Sequence, residues 1–154
     1  MVEFKNVSKN YGSVKALDNV SFTISDGEFV FISGPSGSGK TTILRLLMAE
    51  TLATSGQVIY NSRDVATLKS REIPYLRQRM GVVFQDFKLL PERTIRENIE
   101  VAMAVLSIPK SEWRKRLEEV LKVVGIVAKA NMFPSQLSGG ELQRAALARA
   151  LSGN

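Results

Sequence analysis

The residues whose types and spacing can do chemistry lie in Gly34-Pro35-Ser36-Gly37-Ser38-Gly39-Lys40-Thr41, followed by Thr42. The run fits the pattern G-x-x-x-x-G-K-[ST]. Its glycines permit a tight loop whose backbone N–H groups turn inward and cradle phosphate oxygens. Lys40 adds a positive charge for β- and γ-phosphates, and the Thr41 hydroxyl can ligate Mg2+. The helix that follows contributes its unpaired N–H groups and the positive end of its dipole. A flexible surface loop would share the composition but not the setting. An apolar run, Phe29-Val30-Phe31-Ile32, precedes this loop and a helical pattern follows it.

A second small-residue run, Leu137-Ser138-Gly139-Gly140-Glu141, also opens a helical pattern. It is a second candidate anion-binding helix end, and a plain glycine-rich helix start accounts for the same residues. Two such ends in one chain find a common explanation in a two-fold dimer. Each motif then faces the partner's loop across an isologous interface.

The elements that must position these residues follow from periodicity. Val2 to Val7 and Val20 to Ile24 alternate as half-buried strands, while Glu28 to Ser33 and Met80 to Phe84 are apolar enough for buried strands. Thr41 to Glu50 carries a helical stripe, and Gln57 to Tyr60 a short strand. Arg71 to Arg77 suits a short helix with Pro74 confined to its first turn. Thr94 to Leu106 is helical up to Pro109, and Ser111 can cap a further helix with the stripe Trp113, Leu117, Val120, Leu121 and Val124. Gly125 ends that helix, and Gly139-Gly140 opens the last one, to Leu151. Trp113 reads as core packing. The fold class is α/β, with an antiparallel β element at the front and a helical insertion over Gln85 to Gln136. The expected division is 1–84, 85–136 and 137–154.

Composition narrows the function classes. The 154 residues, 44% hydrophobic and 23% charged, suit one soluble domain with a substantial core. No stretch approaches the ~18 consecutive apolar residues of a membrane span. Met1-Val2-Glu3-Phe4 lacks the basic flank and apolar region of a signal peptide. Without cysteine there are no disulfides or thiolate metal sites, and a reducing cytoplasm is the expected compartment. The net charge of +6 admits nucleic acid, anionic lipid or nucleotide. Much of it, at Lys110, Arg114, Lys115 and Arg116, alternates with Glu112, Glu118 and Glu119 as a solvated mixed-charge face, so nucleic acid is not the expected partner.

The chain resembles the ATP-binding-cassette (ABC) ATPases over its whole length. Gly34 to Thr42 is similar to their Walker A motif, Gln85 to the Q-loop glutamine, and Leu137 to Glu141 to the ABC signature. Leu142-Gln143-Arg144 continues the signature, with Leu142 where many members carry glutamine. Tyr11, before Gly12 and Ala16-Leu17, resembles the aromatic residue that stacks on adenine; edge packing is the alternative for it. Within the family, Arg71-Glu72-Ile73-Pro74-Tyr75-Leu76-Arg77 and Gly81 to Pro91 resemble the FtsE-type cell-division ATPases.

The resemblance implies a P-loop NTPase fold of ABC type, ATP and Mg2+ as cofactors, and Thr41 and Gln85 at the metal. It also implies homodimerisation with the signature acting in trans, and a peripheral place on the cytoplasmic face of the inner membrane. An integral membrane partner of the FtsX type would dock near Phe87-Lys88-Leu89-Leu90. The alternative for Phe87, Leu89 and Leu90 is packing on the helical block. Lipoprotein-release and macrolide-export ATPases are the neighbouring subfamilies, and a soluble ABC protein acting on nucleic acid is a further alternative.

The chain departs from the family at Asn154, directly after the signature helix. Members continue into a Walker B strand with a Mg2+-holding aspartate and catalytic glutamate, then a D-loop and a switch histidine. The sequence has no histidine at all. The expectation is a truncated chain with binding parts, no catalytic residues and no turnover. It would lack the C-terminal part of the core sheet, with an exposed apolar edge at the loop-bearing strand.

Overall fold

β1 (Val2–Tyr11) and β2 (Val14–Ile24) form an antiparallel hairpin turned at Gly12-Ser13 in the computed structural model of the protein, which describes residues 1–153. Alternation explains the pairing: Phe4, Val7 and Leu17 are buried, and Phe4 stacks on the directly opposed Phe22 with ring centroids 4.5 Å apart. Both strands outrun the expected Val2–Val7 and Val20–Ile24. Register shifts between Phe4 and Asn10, with Asn6 and Asn19 at φ 49°, absorb the residues that fall out of phase and let the ladder continue. β3 (Ser55–Tyr60) pairs with the other edge of β1, and β4 (Arg63–Asp64) follows β3 through the turn at Asn61-Ser62. The order is β2-β1-β3-β4, antiparallel throughout. α1 (Lys40–Leu47) buries Ile43 and Leu46 and packs against β3.

The two expected buried strands do not form. Residues 28–33 and 80–84 have no strand geometry, and Phe29 and Phe31 are 87% and 84% exposed. A strand needs a neighbour for its N–H and C=O groups, and among the described residues none pairs with either segment. Apolar content states what a segment could bury, and is silent on whether a ladder partner is there.

α2 (Ile73–Gln78) is short, with Pro74 in its first turn as expected. Beyond it, α3 (Ile95–Val105), α4 (Lys110–Val123) and α5 (Gly139–Leu151) surround a core that includes Ile95, Ile99, Met103, Leu117, Leu121 and Ala148. Thr94 and Glu97 close a capping box at the start of α3. Ser111 does not cap α4. That helix starts two residues earlier, at Lys110 after Pro109, whose φ of −57° and missing N–H suit a helix entrance. Trp113 packs half-buried on the core, its Nε1–H donating to the Ile108 carbonyl at 2.9 Å. Gly125, at φ 69°, lets the chain leave α4.

Compactness divides the chain into Met1–Leu76 and the remainder from Arg77. This boundary precedes the one placed at 84/85, because residues 77–84 make their contacts within the helical unit. Residues 137–153 belong to that unit too, since α5 packs on α3 and α4. Asn154, the last residue of the expected third segment, lies outside the described residues.

Candidate functional site

In the first unit the loop 34–39 enters α1 without a side-chain cap, and its last residue, Gly39, sits in the left-handed region at φ 89°. The first-turn N–H groups of α1 therefore face the loop with no protein acceptor of the capping kind. Lys40 turns its ammonium back into the loop. Nζ donates to the Gly34 carbonyl at 2.7 Å, the Pro35 carbonyl at 2.8 Å and Ser38 Oγ at 3.2 Å. All three of its protons are taken by acceptors of the loop itself, which keeps the ammonium inside the loop. A polyphosphate entering the loop can take over those donors and adds charge to them. Thr41 is exposed, whereas Thr42 is buried.

The β1–β2 hairpin is packed against this loop. A Cβ placed on Gly39 would lie 2.4 Å from the Ala16 carbonyl oxygen and 2.7 Å from Leu17 Cδ2. Tyr11 ends β1 opposite Val14 and is 41% exposed, and Lys9 Nζ stands 5.0 Å from its ring centroid. The Lys9 ammonium also donates to the Leu52 carbonyl at 2.7 Å. Tyr11 and Gly34 to Thr42 thus belong to one unit, joined by the contact of β2 with Gly39.

The second unit holds Gln85 and the signature residues. Leu137 precedes α5, and Ser138 is its N-cap residue. Glu141 folds back, and its Oε2 accepts from both the Ser138 N–H and the Ser138 hydroxyl at 2.8 Å. Lys129 adds an ion pair at 3.2 Å. The Ser138 hydrogen bonds, then Lys129, hold the Glu141 carboxyl down at about 2. Gly139 has no heavy atom near its missing Cβ, and Gly140 only the Arg144 guanidinium at 3.8 Å.

Gln85 is exposed in an irregular segment that is held by side chains. Phe87 and Lys88 both have positive φ, 57° and 48°. Arg149 of α5 donates to the Phe87 carbonyl at 2.7 Å and to the Lys88 carbonyl at 2.5 Å, and burial pulls its guanidinium down from the usual value. Asn98, 1% exposed, accepts from the Leu90 N–H and donates to the carbonyls of Leu90, Arg93 and Thr94. Of the three apolar residues after Gln85, Leu89 packs on the helical core, Phe87 is half-buried and Leu90 is exposed.

Asn98, Arg149 and Lys129 escaped the sequence reading. Asn98 had a signal, a polar residue set between Ile95 and Ile99 on the buried stripe of α3. Arg149 and Lys129 had none, since their partners are distant in sequence. Among the described residues no cluster of acidic or histidine side chains could hold a metal ion, and no helix is long and apolar enough to cross a membrane.

The ABC transporter family profile matches residues 17–154. The cell division ATP-binding protein FtsE of Bacillus subtilis is 48% identical over 155 aligned residues, covering 100% of this chain and 68% of FtsE. The methionine import ATP-binding protein MetN of Geobacillus kaustophilus is 44% identical, covering 100% of this chain and 46% of MetN. Among solved structures, the ATP-binding cassette MJ0796, dimeric in a post-hydrolysis state with ADP and phosphate, superposes with a TM-score of 0.90 at 40% identity. That match covers 100% of this chain and 70% of MJ0796. The chain therefore spans about two thirds of FtsE and under half of MetN.

Proposed function

The chain belongs to the ABC transporter family as an FtsE-like ATP-binding subunit, and from that premise we propose that it binds Mg-ATP in the loop from Gly34 to Thr42. The observation that carries the proposal is the pairing of an uncapped α1 N-terminus with the Lys40 ammonium held inside the loop. Lys40 exchanges its carbonyl partners for β- and γ-phosphate oxygens, the α1 N–H groups take the remaining phosphate oxygens, and Tyr11 receives the adenine on its exposed ring.

Mg2+ fits the residues present. Thr41 offers an exposed hydroxyl that makes no hydrogen bond among the described residues. Mg2+ needs only one or two protein oxygens beside phosphates and waters. Thr41 and Gln85 would hold it, and when bound it neutralises phosphate charge. The role of the signature is proposed in trans. Leu137 to Glu141 contacts the nucleotide of a second copy, an arrangement supported by the dimeric MJ0796 cassette.

Coupling to a membrane partner in cell division is the proposed role of the whole protein, with a partner of the FtsX type docking near Phe87 to Leu90. Phe87 and Leu90 remain at least partly exposed, which supports that surface, while Leu89 serves the core. ATP hydrolysis is proposed for the whole protein, and nucleotide binding without turnover for these 154 residues. A transport role is the second reading, supported by the MetN match; lipoprotein release and macrolide export belong to the same reading.

Calorimetric titration tests the binding proposal. Lys40→Ala is expected to weaken Mg-ATP binding by about tenfold or more, on the ~1.5–3 kcal/mol scale of charge-assisted hydrogen bonds. Unchanged affinity would remove the assignment.

A further inference from the structure

We propose that Arg149 is a positioning residue that fixes Gln85 to the signature helix, so that the Gln85 segment and the signature motif move as one body. The inference rests on the reading of Gln85 as a nucleotide-site ligand and adds the element that holds it there.

Gln85 has no ladder on either side, yet both of its flanks are fastened to the last turn of α5. On the near side, Gly81 lies against Ala150. A Cβ on Gly81 would come 2.5 Å from the Ala150 carbonyl oxygen, so only glycine allows the approach. On the far side, the Arg149 guanidinium spans the carbonyls of Phe87 and Lys88. Those are two consecutive non-glycine residues in the left-handed region, a strained conformation that persists only where surroundings impose it. Arginine suits the task because its planar fork reaches two carbonyls at once, which lysine cannot do.

Asn98 closes the far end of the same loop by binding Leu90, Arg93 and Thr94. Slack is therefore removed between Gly81 and Thr94, and Gln85 rides on α5. The same helix begins at Ser138 to Gly140. A displacement of the signature end is carried along α5 to both flanks of Gln85, through the Gly81 backbone contact and the Arg149 fork, without the Gln85 side chain taking part.

Two variants in the full chain test this, each read by hydrogen exchange and by ATP titration with and without Mg2+. Arg149→Met keeps an unbranched apolar stem and removes the fork. It is expected to speed exchange of the amides from Gln85 to Leu89 by about tenfold or more, because their closed state loses its clamp. It should also shrink the gain in ATP affinity from Mg2+ while leaving metal-free ATP affinity within about twofold. Arg149→Lys, with a single point donor, is expected to lie between the two and keeps the test open if the methionine variant fails to fold. Unchanged exchange in both variants overturns the proposal, and so does an equal loss of ATP affinity with and without Mg2+. If the unaltered chain binds no ATP, the functional reading falls, and the exchange measurement still decides whether Arg149 holds the segment.

Discussion

Two glycine-rich segments open helices in this chain, and they are held in opposite ways. The loop before α1 turns a cation inward, Lys40, and leaves the helix entrance without a side-chain cap. The start of α5 turns an anion back on itself, Glu141, which takes up the N–H and hydroxyl of Ser138. On the proposed function, the first arrangement takes a polyanion within one chain. At the second, a phosphate meets a carboxylate already seated on the serine, and must draw Ser138 away from it. A helix N-terminus and small residues are common to both, so under the proposed function it is the charge turned into the opening that separates them.

Glycine substitution separates the two segments most strongly. Gly39→Ala forces a Cβ against the Ala16 carbonyl at a backbone angle suited only to glycine. We expect it to cost about 2 kcal/mol or more of folding stability and to weaken ATP binding at least about tenfold. Gly140→Ala meets only the far end of Arg144. It should leave monomer ATP affinity unchanged and raise stability by up to ~1 kcal/mol, the helix-propensity difference. Urea denaturation and calorimetry check the pair, and equal effects would erase the distinction.

Glu141 gives a smaller effect with a definite sign. Its carboxyl is held at about 2 in the fold against an ordinary 4.5. The folded state therefore binds the proton less readily than the unfolded chain. The contribution to stability is complete above pH 4.5 and fades as pH falls toward 2. Glu72 and Glu97, also lowered, act in the same direction. Glu141→Gln should flatten the stability profile in that window without changing ATP affinity at neutral pH. A profile identical to the parent's would show that the Ser138 and Lys129 contacts do not form in solution.

Local pattern made much of this legible. The alternation of β1, the helical patterns of α3 and α4 and the glycine pair that opens α5 are short-range properties of the sequence, and each element forms there, with β1 running on to Tyr11 and α4 starting before its expected cap. Residues 28–33 and 80–84 were misread as strands because pairing depends on a neighbour that hydrophobicity does not report. Arg149 and Asn98 act on backbone groups brought near by packing. Nothing in the local sequence of α5 separates Arg149 from an ordinary solvated arginine. The inward turn of Glu141 was partly legible, since Ser138 and Glu141 have the spacing of a capping box.

Hydrogen exchange of the dilute chain with and without Mg-ATP tests the central claim most directly, because it reads both helix openings in one experiment. The account predicts protection of the amides from Gly34 to Thr42, with those from Leu137 to Glu141 unchanged until the concentration supports a dimer. Protection at Leu137 to Glu141 in the monomer, with none at Gly34 to Thr42, would contradict it.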